Sequence, residues 1–109
     1  LTTIAASHGH INIIEYLNNM DIKPDSTTSS TAAKYGHLDC LRYLHHIGCK
    51  FDLWSMNNAA RYGHLDFLMY LHDIGAPRGY STTSNAALGG HLQCLEYLKS
   101  IDCPFSKEV

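Results

Sequence analysis

Ala32-Ala33-Lys34-Tyr35-Gly36-His37-Leu38 is the stretch whose reading decides the fold. The phrase Ala-Ala-x-x-Gly-His-(Leu/Ile) also fills residues 5–11, 59–65 and 86–92. Its first alanines stand at 5, 32, 59 and 86, so every interval is 27 residues. A fixed interval of this size marks a repeat architecture, in which no unit can bury its apolar face alone and neighbours stack to form one continuous core.

The same register runs outward from the phrase. On its C-terminal side, Leu38, Cys40, Leu41, Tyr43, Leu44 and Ile47 form a broad apolar stripe of helical period, with Asp39, Arg42, His45 and His46 in the gaps. Ile14, Leu41, Leu68 and Leu95 share one position, Tyr16, Tyr43, Tyr70 and Tyr97 a second, Leu17, Leu44, Leu71 and Leu98 a third. Gly48 and Gly75 stand where such a helix should stop. On the N-terminal side, residues 26–31, 55–58 and 81–85 are rich in Ser, Thr and Asn, which favour caps over helix interiors. Thr28, Ser55 and Thr82 share a register and are the expected N-caps of a first helix of about two turns. Asp25 and Asp52 read as caps or turn formers. Gly36, Gly63 and Gly90 then turn the chain into the second helix. The unit is helix–turn–helix–loop, with expected units at 1–26, 27–53, 54–80 and 81–109.

This pattern resembles the ankyrin repeat. The family's Thr-Pro-Leu-His-x-Ala-Ala-x-x-Gly-His-Leu phrase is matched from the double alanine onward at residues 32–38 and 59–65, and residues 39–49 are similar to the family's second helix and its end. Two features depart from it. Thr27-Thr28-Ser29-Ser30, Trp54-Ser55-Met56-Asn57 and Ser81-Thr82-Thr83-Ser84 replace the Thr-Pro-Leu-His opening. Each unit is also six residues shorter than the usual period of about 33, and the shortening falls where the family makes its β-hairpin. Shortened arrays of this kind are similar to those of large DNA viruses and some protists. The resemblance implies an all-α, ankyrin-like α-solenoid of four stacked helix–turn–helix repeats. Leucine-rich repeats lack support here, having no Leu-x-x-Leu-x-Leu-x-x-Asn strand, and tetratricopeptide repeats are longer.

The resemblance further implies non-catalytic protein–protein interaction, with the partner touching the exposed side of the first helices and the loops. Carried over by position, that surface includes Ser7 and His8, Lys34 and Tyr35, Arg61 and Tyr62, Leu88 and Gly89. Lys34-Tyr35 and Arg61-Tyr62 would adjoin in the stack as a basic, aromatic patch of the type enriched at interfaces. Phe51, Leu53, Trp54, Arg78 and Tyr80 are placed in the loops, where Phe51 and Trp54 either close the core or face a partner. The alternative to a binding module is a structural spacer or self-stacking segment of a longer repeat protein.

Composition narrows the remaining classes. The 109 residues carry 45% hydrophobic and 17% charged side chains, which suits one folded domain. A net charge of −2 gives no electrostatic reason to expect nucleic acid or an anionic membrane as partner. No apolar run reaches the ~20 residues that span a bilayer. Cys40, Cys49, Cys94 and Cys103 read as reduced thiols of an intracellular protein, cytoplasmic, or in the host cytoplasm if the source is viral. The chain opens at Leu1 rather than methionine and is expected to be processed or part of a longer array.

Chemistry-bearing motifs are few. No Gly-rich phosphate loop, Gly-x-Ser-x-Gly elbow or His-Glu-x-x-His helix occurs, so no enzyme activity and no cofactor are expected. His10, His37, His64 and His91 occupy one position and are expected to bond the turn backbone. His37 with Cys40, and His91 with Cys94, have ligand-like spacing. Ile13 and Phe67 fill the cysteine position in the other units, however, and ligands one unit away would lie ~8–10 Å off, so no metal is expected. His45, His46 and His72 read as a solvated face at second-helix C-termini. Ile11, Ile13 and Ile14 at one end, and Leu92, Cys94, Leu95 and Ile101 at the other, are expected to present apolar surface and to promote end-to-end self-association.

Overall fold

A computed structural model describes residues 1–105; residues 106–109, the end of the expected fourth unit, lie outside the described residues. Eight helices follow one another: α1 (Thr2–Ser7), α2 (Ile11–Asn19), α3 (Ser26–Tyr35), α4 (Leu38–His46), α5 (Leu53–Arg61), α6 (Leu65–Asp73), α7 (Tyr80–Gly89) and α8 (Leu92–Ser100). Among the described residues there is no strand. The helices form four pairs, each closed by a Gly-His turn. The body is long for its width, 45 × 21 × 18 Å, because α1 packs on α3, α3 on α5 and α5 on α7 in a row.

Alanine makes that row close. Ala5, Ala6, Ala32, Ala33, Ala59, Ala60 and Ala86 are all buried, and with methyl side chains at the contact the helix backbones approach closely and gain dispersion energy. The second helices supply bulk. Ile14, Leu17, Leu41, Leu44, Leu68, Leu71 and Leu98 are buried, with Cys40, Phe67 and Cys94 filling one shared position of different volumes. Phe51 packs against this core from its loop.

The turns tie one pair to the next. Gly36, Gly63 and Gly90 adopt φ of 76°, 77° and 74°, a left-handed conformation that costs a side-chain-bearing residue ~1–2 kcal/mol. Each turn glycine before the last pair also leaves room for an imidazole of the following pair. A methyl on Gly9, Gly36 or Gly63 would come within 2.8, 2.8 and 2.6 Å of the rings of His37, His64 and His91. Nothing approaches Gly90 in this way. Two of those rings also donate back. His37 Nε2 bonds the Ser7 carbonyl and His64 Nε2 the Lys34 carbonyl, each at 3.1 Å. Both acceptors sit in the last turn of a first helix, where carbonyls lack intrahelical partners. The expected structural role of this histidine position is met at His37 and His64.

The helix starts fit the reading of Asp25 and Asp52 as caps and correct that of Thr28, Ser55 and Thr82 as N-caps. The N-caps are Asp25, Asp52 and Gly79, three residues ahead of Thr28, Ser55 and Thr82, so the first helices of the later pairs run nine or ten residues rather than two turns. A carboxylate at the N-cap can take the free helix N–H, leaving the hydroxyl to reach backwards as the second half of a capping box. Asp25 Oδ1 accepts from Thr28 N at 3.2 Å while Asp25 N donates to Thr28 Oγ1 at 3.3 Å. Asp52 Oδ1 accepts from Trp54 N at 3.0 Å, and Gly79 N donates to Thr82 Oγ1 at 3.2 Å. Ser55 does not complete the pattern, and its buried hydroxyl has no partner among the described residues. Leu53, Trp54 and Tyr80, expected in loops, therefore belong to first helical turns.

The two ends are apolar, though not through all the residues expected. Ile14 and Cys94 are buried in clusters shared with neighbouring pairs. Ile13 is 45% exposed, while Cys40, Phe67 and Cys94 in the same register are at most 2% exposed. Leu1, Ile4 and Tyr16 surround it on the surface. At the other end Ala87 and Leu92 are exposed.

Two stability predictions follow from the turns and caps. Gly36→Ala should cost about 2–4 kcal/mol, the left-handed strain plus displacement of the His64 ring and its hydrogen bond, against about 1–2 kcal/mol for Gly90→Ala. Urea denaturation of both variants, with equal losses, would remove the imidazole seat from this account. Asp25→Ala should lower stability by about 1 kcal/mol through its cap, and Asp25→Asn by less, as read in the same assay.

Candidate functional site

The exposed faces of α3 and α5 bring together side chains that lie far apart in sequence. The Lys34 ammonium lies 5.3 Å from the ring centre of Tyr35 and 5.7 Å from that of Tyr62, one helix pair further on. The Arg61 guanidinium lies 5.7 Å from the Tyr62 ring. Two cations thus share one tyrosine ring. Cation–π contacts at this range contribute about 0.5–1 kcal/mol each at exposed sites. Their larger effect is to hold two long, flexible side chains in defined positions.

Local structure explains the placement. Residues 34 and 61 share a register just after the buried double alanine, so the helix that buries Ala32–Ala33 or Ala59–Ala60 must turn the following residue outward. The His64 bond to the Lys34 carbonyl then fixes the backbone from which Lys34 extends. Lys34 is half-buried, whereas Tyr35 is 51% and Tyr62 40% exposed. The tyrosine column ends there, because a side chain on Gly89 in the equivalent place would collide with the Arg61 carbonyl.

Trp54 joins the same face. It is 60% exposed, and lies seven residues before Arg61, hence on one stripe of α5 about 10 Å away with Asn58 between. The choice between core and surface is therefore split: Phe51 closes the core and Trp54 faces out. Leu88, 69% exposed, occupies the Arg61 position of the next pair. Two expected residues do not join. Arg78 donates through Nη2 to the Ile101 carbonyl at 3.1 Å and so anchors the end of α8. Tyr80 opens α7 about 100° around the helix from the stripe that carries Leu88.

Charge is sorted between the two helix layers. The helices α1, α3, α5 and α7 contain no aspartate or glutamate; their only formal charges are Lys34 and Arg61. The second helices carry Glu15, Asp39, Asp66, Asp73 and Glu96 against Arg42 and Lys99. Among the described residues the one ion pair is Lys23 with Asp21, so neither cation of the patch is neutralised within the described chain.

A second constellation, unforeseen from sequence, lies on the second helices. His45 Nδ1 and the Tyr70 hydroxyl are 2.9 Å apart, the rings meet edge to face, and the Arg42 guanidinium stands 5.8 Å from the same tyrosine ring. His72 repeats the edge-on contact with Tyr97. His45 and His46 are exposed as expected, with His45 also touching the next pair, whereas His72 is half-buried against Tyr97. The only sequence signal was the tyrosine register, which gives no partner.

The cysteines behave as small apolar residues. Cys40, Cys94 and Cys103 are buried, Cys49 is partly so, and all four are free thiols. Burial pushes each thiol above its ordinary pKa, the opposite of an activated nucleophile. Burial also raises Tyr97, helped by Asp73 and opposed by Arg78. Among the described residues no group of three His, Cys, Asp or Glu side chains is placed to hold a metal ion, and no helix is long and apolar enough to cross a membrane. Comparison with known proteins gives no matching family model and no matching curated relative.

Proposed function

We propose that the chain is an ankyrin-like α-solenoid of four helix–turn–helix repeats that acts as a non-catalytic protein-binding module. The partner lies across the first-helix face. One observation carries the reading: the cluster of Lys34, Tyr35, Arg61 and Tyr62, at the surface and mutually positioned, on first helices whose only carboxylates are the caps Asp25 and Asp52 at the opposite end. Tyr, Trp and Arg are the residue types that dominate binding energy at interfaces. Rings that hold the cations before binding reduce the ordering entropy that association costs. Trp54 and Leu88 extend the same face with apolar area. The elevated thiols and the histidines engaged with backbone carbonyls or tyrosine favour a structural use of groups that an enzyme would keep reactive.

The test is capture of a partner from cell extract by the chain and by a Lys34/Tyr35/Arg61/Tyr62 all-alanine variant with unchanged helical circular dichroism. A partner held by the first and lost by the second supports the reading. A partner held equally by both removes the function from this patch.

A second reading rests on the apolar ends. Ile13, with Leu1, Ile4 and Tyr16 around it, offers the surface that Cys40, Phe67 and Cys94 bury against a neighbouring helix pair elsewhere in the stack. On this reading the chain is a self-stacking segment, joined end to end with a second copy. Light scattering should then show mass rising with concentration, and Ile13→Glu should abolish the rise; a monomer at all concentrations sinks it.

A further inference from the structure

We infer that the first-helix face takes an acidic peptide segment, one that places two carboxylates on Lys34 and Arg61 and an apolar side chain beside them on Trp54. The inference rests on the binding reading above and deepens it by naming the partner's chemistry.

Charge complementarity is the first argument. The chain as a whole is acidic, with a net charge of −2, yet its first helices carry only positive formal charge. A like-charged juxtaposition is costly and an opposite one steers encounter, so a carboxylate-bearing partner meets least repulsion at the C-terminal ends of α3 and α5, at the far end of those helices from the capping carboxylates Asp25 and Asp52. Neither cation has a carboxylate partner among the described residues, so both remain available to an incoming acid.

Geometry is the second. Lys34 and Arg61 both lie against the Tyr62 ring, each 5.7 Å from its centre. An extended peptide advances ~3.3 Å per residue and projects alternate side chains to one face, so acids two residues apart would lie about 7 Å apart. That separation lets one carboxylate reach each of the two cations gathered at the ring. Guanidinium accepts a carboxylate through paired N–H donors, whereas the ammonium acts as a point charge already held by two rings. Trp54, two turns along the same stripe of α5, provides the apolar contact.

A nucleic acid fits this surface less well. Phosphate-tracking proteins neutralise a run of closely spaced phosphates with many Lys and Arg. Here the cationic face has two, and the second helices behind it are predominantly acidic.

The experiment is fluorescence anisotropy with the whole chain and three labelled probes. They are a Gly/Ser-framed peptide bearing Glu-Phe-Glu, its Gln-Phe-Gln counterpart, and an oligoadenylate. The glutamate peptide should bind at least tenfold more tightly than the glutamine peptide, with affinity falling as salt rises. Lys34→Gln and Arg61→Gln should each cost about tenfold, Lys34→Arg should restore most of the loss, and Trp54→Ala should weaken both peptides alike. Equal binding of the two peptides, no measurable binding of the glutamate peptide, or tighter binding of the oligoadenylate overturns the inference. A cellular partner that is lost with the all-alanine patch while the glutamate peptide fails to bind would leave the binding module standing and remove only its acidic specificity.

Discussion

The structure depends on one contact made three times: an imidazole of one helix pair seated over the turn glycine of the pair before it. The seat needs both properties of glycine at once. The backbone there is left-handed, with φ of 73°, 76° and 77° at Gly9, Gly36 and Gly63, and the missing Cβ leaves the volume that the rings of His37, His64 and His91 occupy. Where the ring also donates to a carbonyl at the end of the preceding first helix, one side chain fixes turn, helix end and neighbouring pair together. The alanine contacts between first helices then follow, because the pairs are already held at a distance where only a methyl fits.

The proposed binding face is a by-product of that same geometry. A helix that must bury two consecutive alanines turns the next residues outward. In the second and third pairs those residues are Lys34-Tyr35 and Arg61-Tyr62. Stacking sets one pair's cation against the next pair's ring, so the patch exists only across the joint between pairs. No single unit contains it. The fourth pair cannot extend it, since its helix lies too close to the Arg61 carbonyl for any side chain at position 89.

Capping shows how the units differ while keeping one backbone. Asp25 and Thr28 make a full box, Gly79 and Thr82 half of one, and Asp52 with Ser55 rely on the aspartate alone. The hydroxyl at the following position does the reverse job. Ser29 and Thr83 donate to loop carbonyls at Lys50 and Pro104, while Met56 at the same register is buried in the apolar core beside Ala76. Polar and apolar solutions thus hold the loop against the first helix interchangeably.

By itself the sequence determined the helical class, the 27-residue spacing of the second helices, the turn glycines, the buried leucines and alanines, and the backbone-bonding role of His37 and His64. These are legible because each follows from periodicity or from the conformational demands of one residue type within its own unit. The adjacency of Lys34-Tyr35 and Arg61-Tyr62 was legible for the same reason, since equal register becomes lateral neighbourhood in a stack. Tertiary structure alone decided what depends on direction across the joint. Trp54 faces out while Phe51 turns in, and Arg78 is drawn to the Ile101 carbonyl. His45 and His72 meet the tyrosines of the next pair, and Gly79 takes the cap position that aspartate holds in the two units before it. A repeat register states which residues are neighbours; the rotation and distance between stacked helices decide which of their side chains touch.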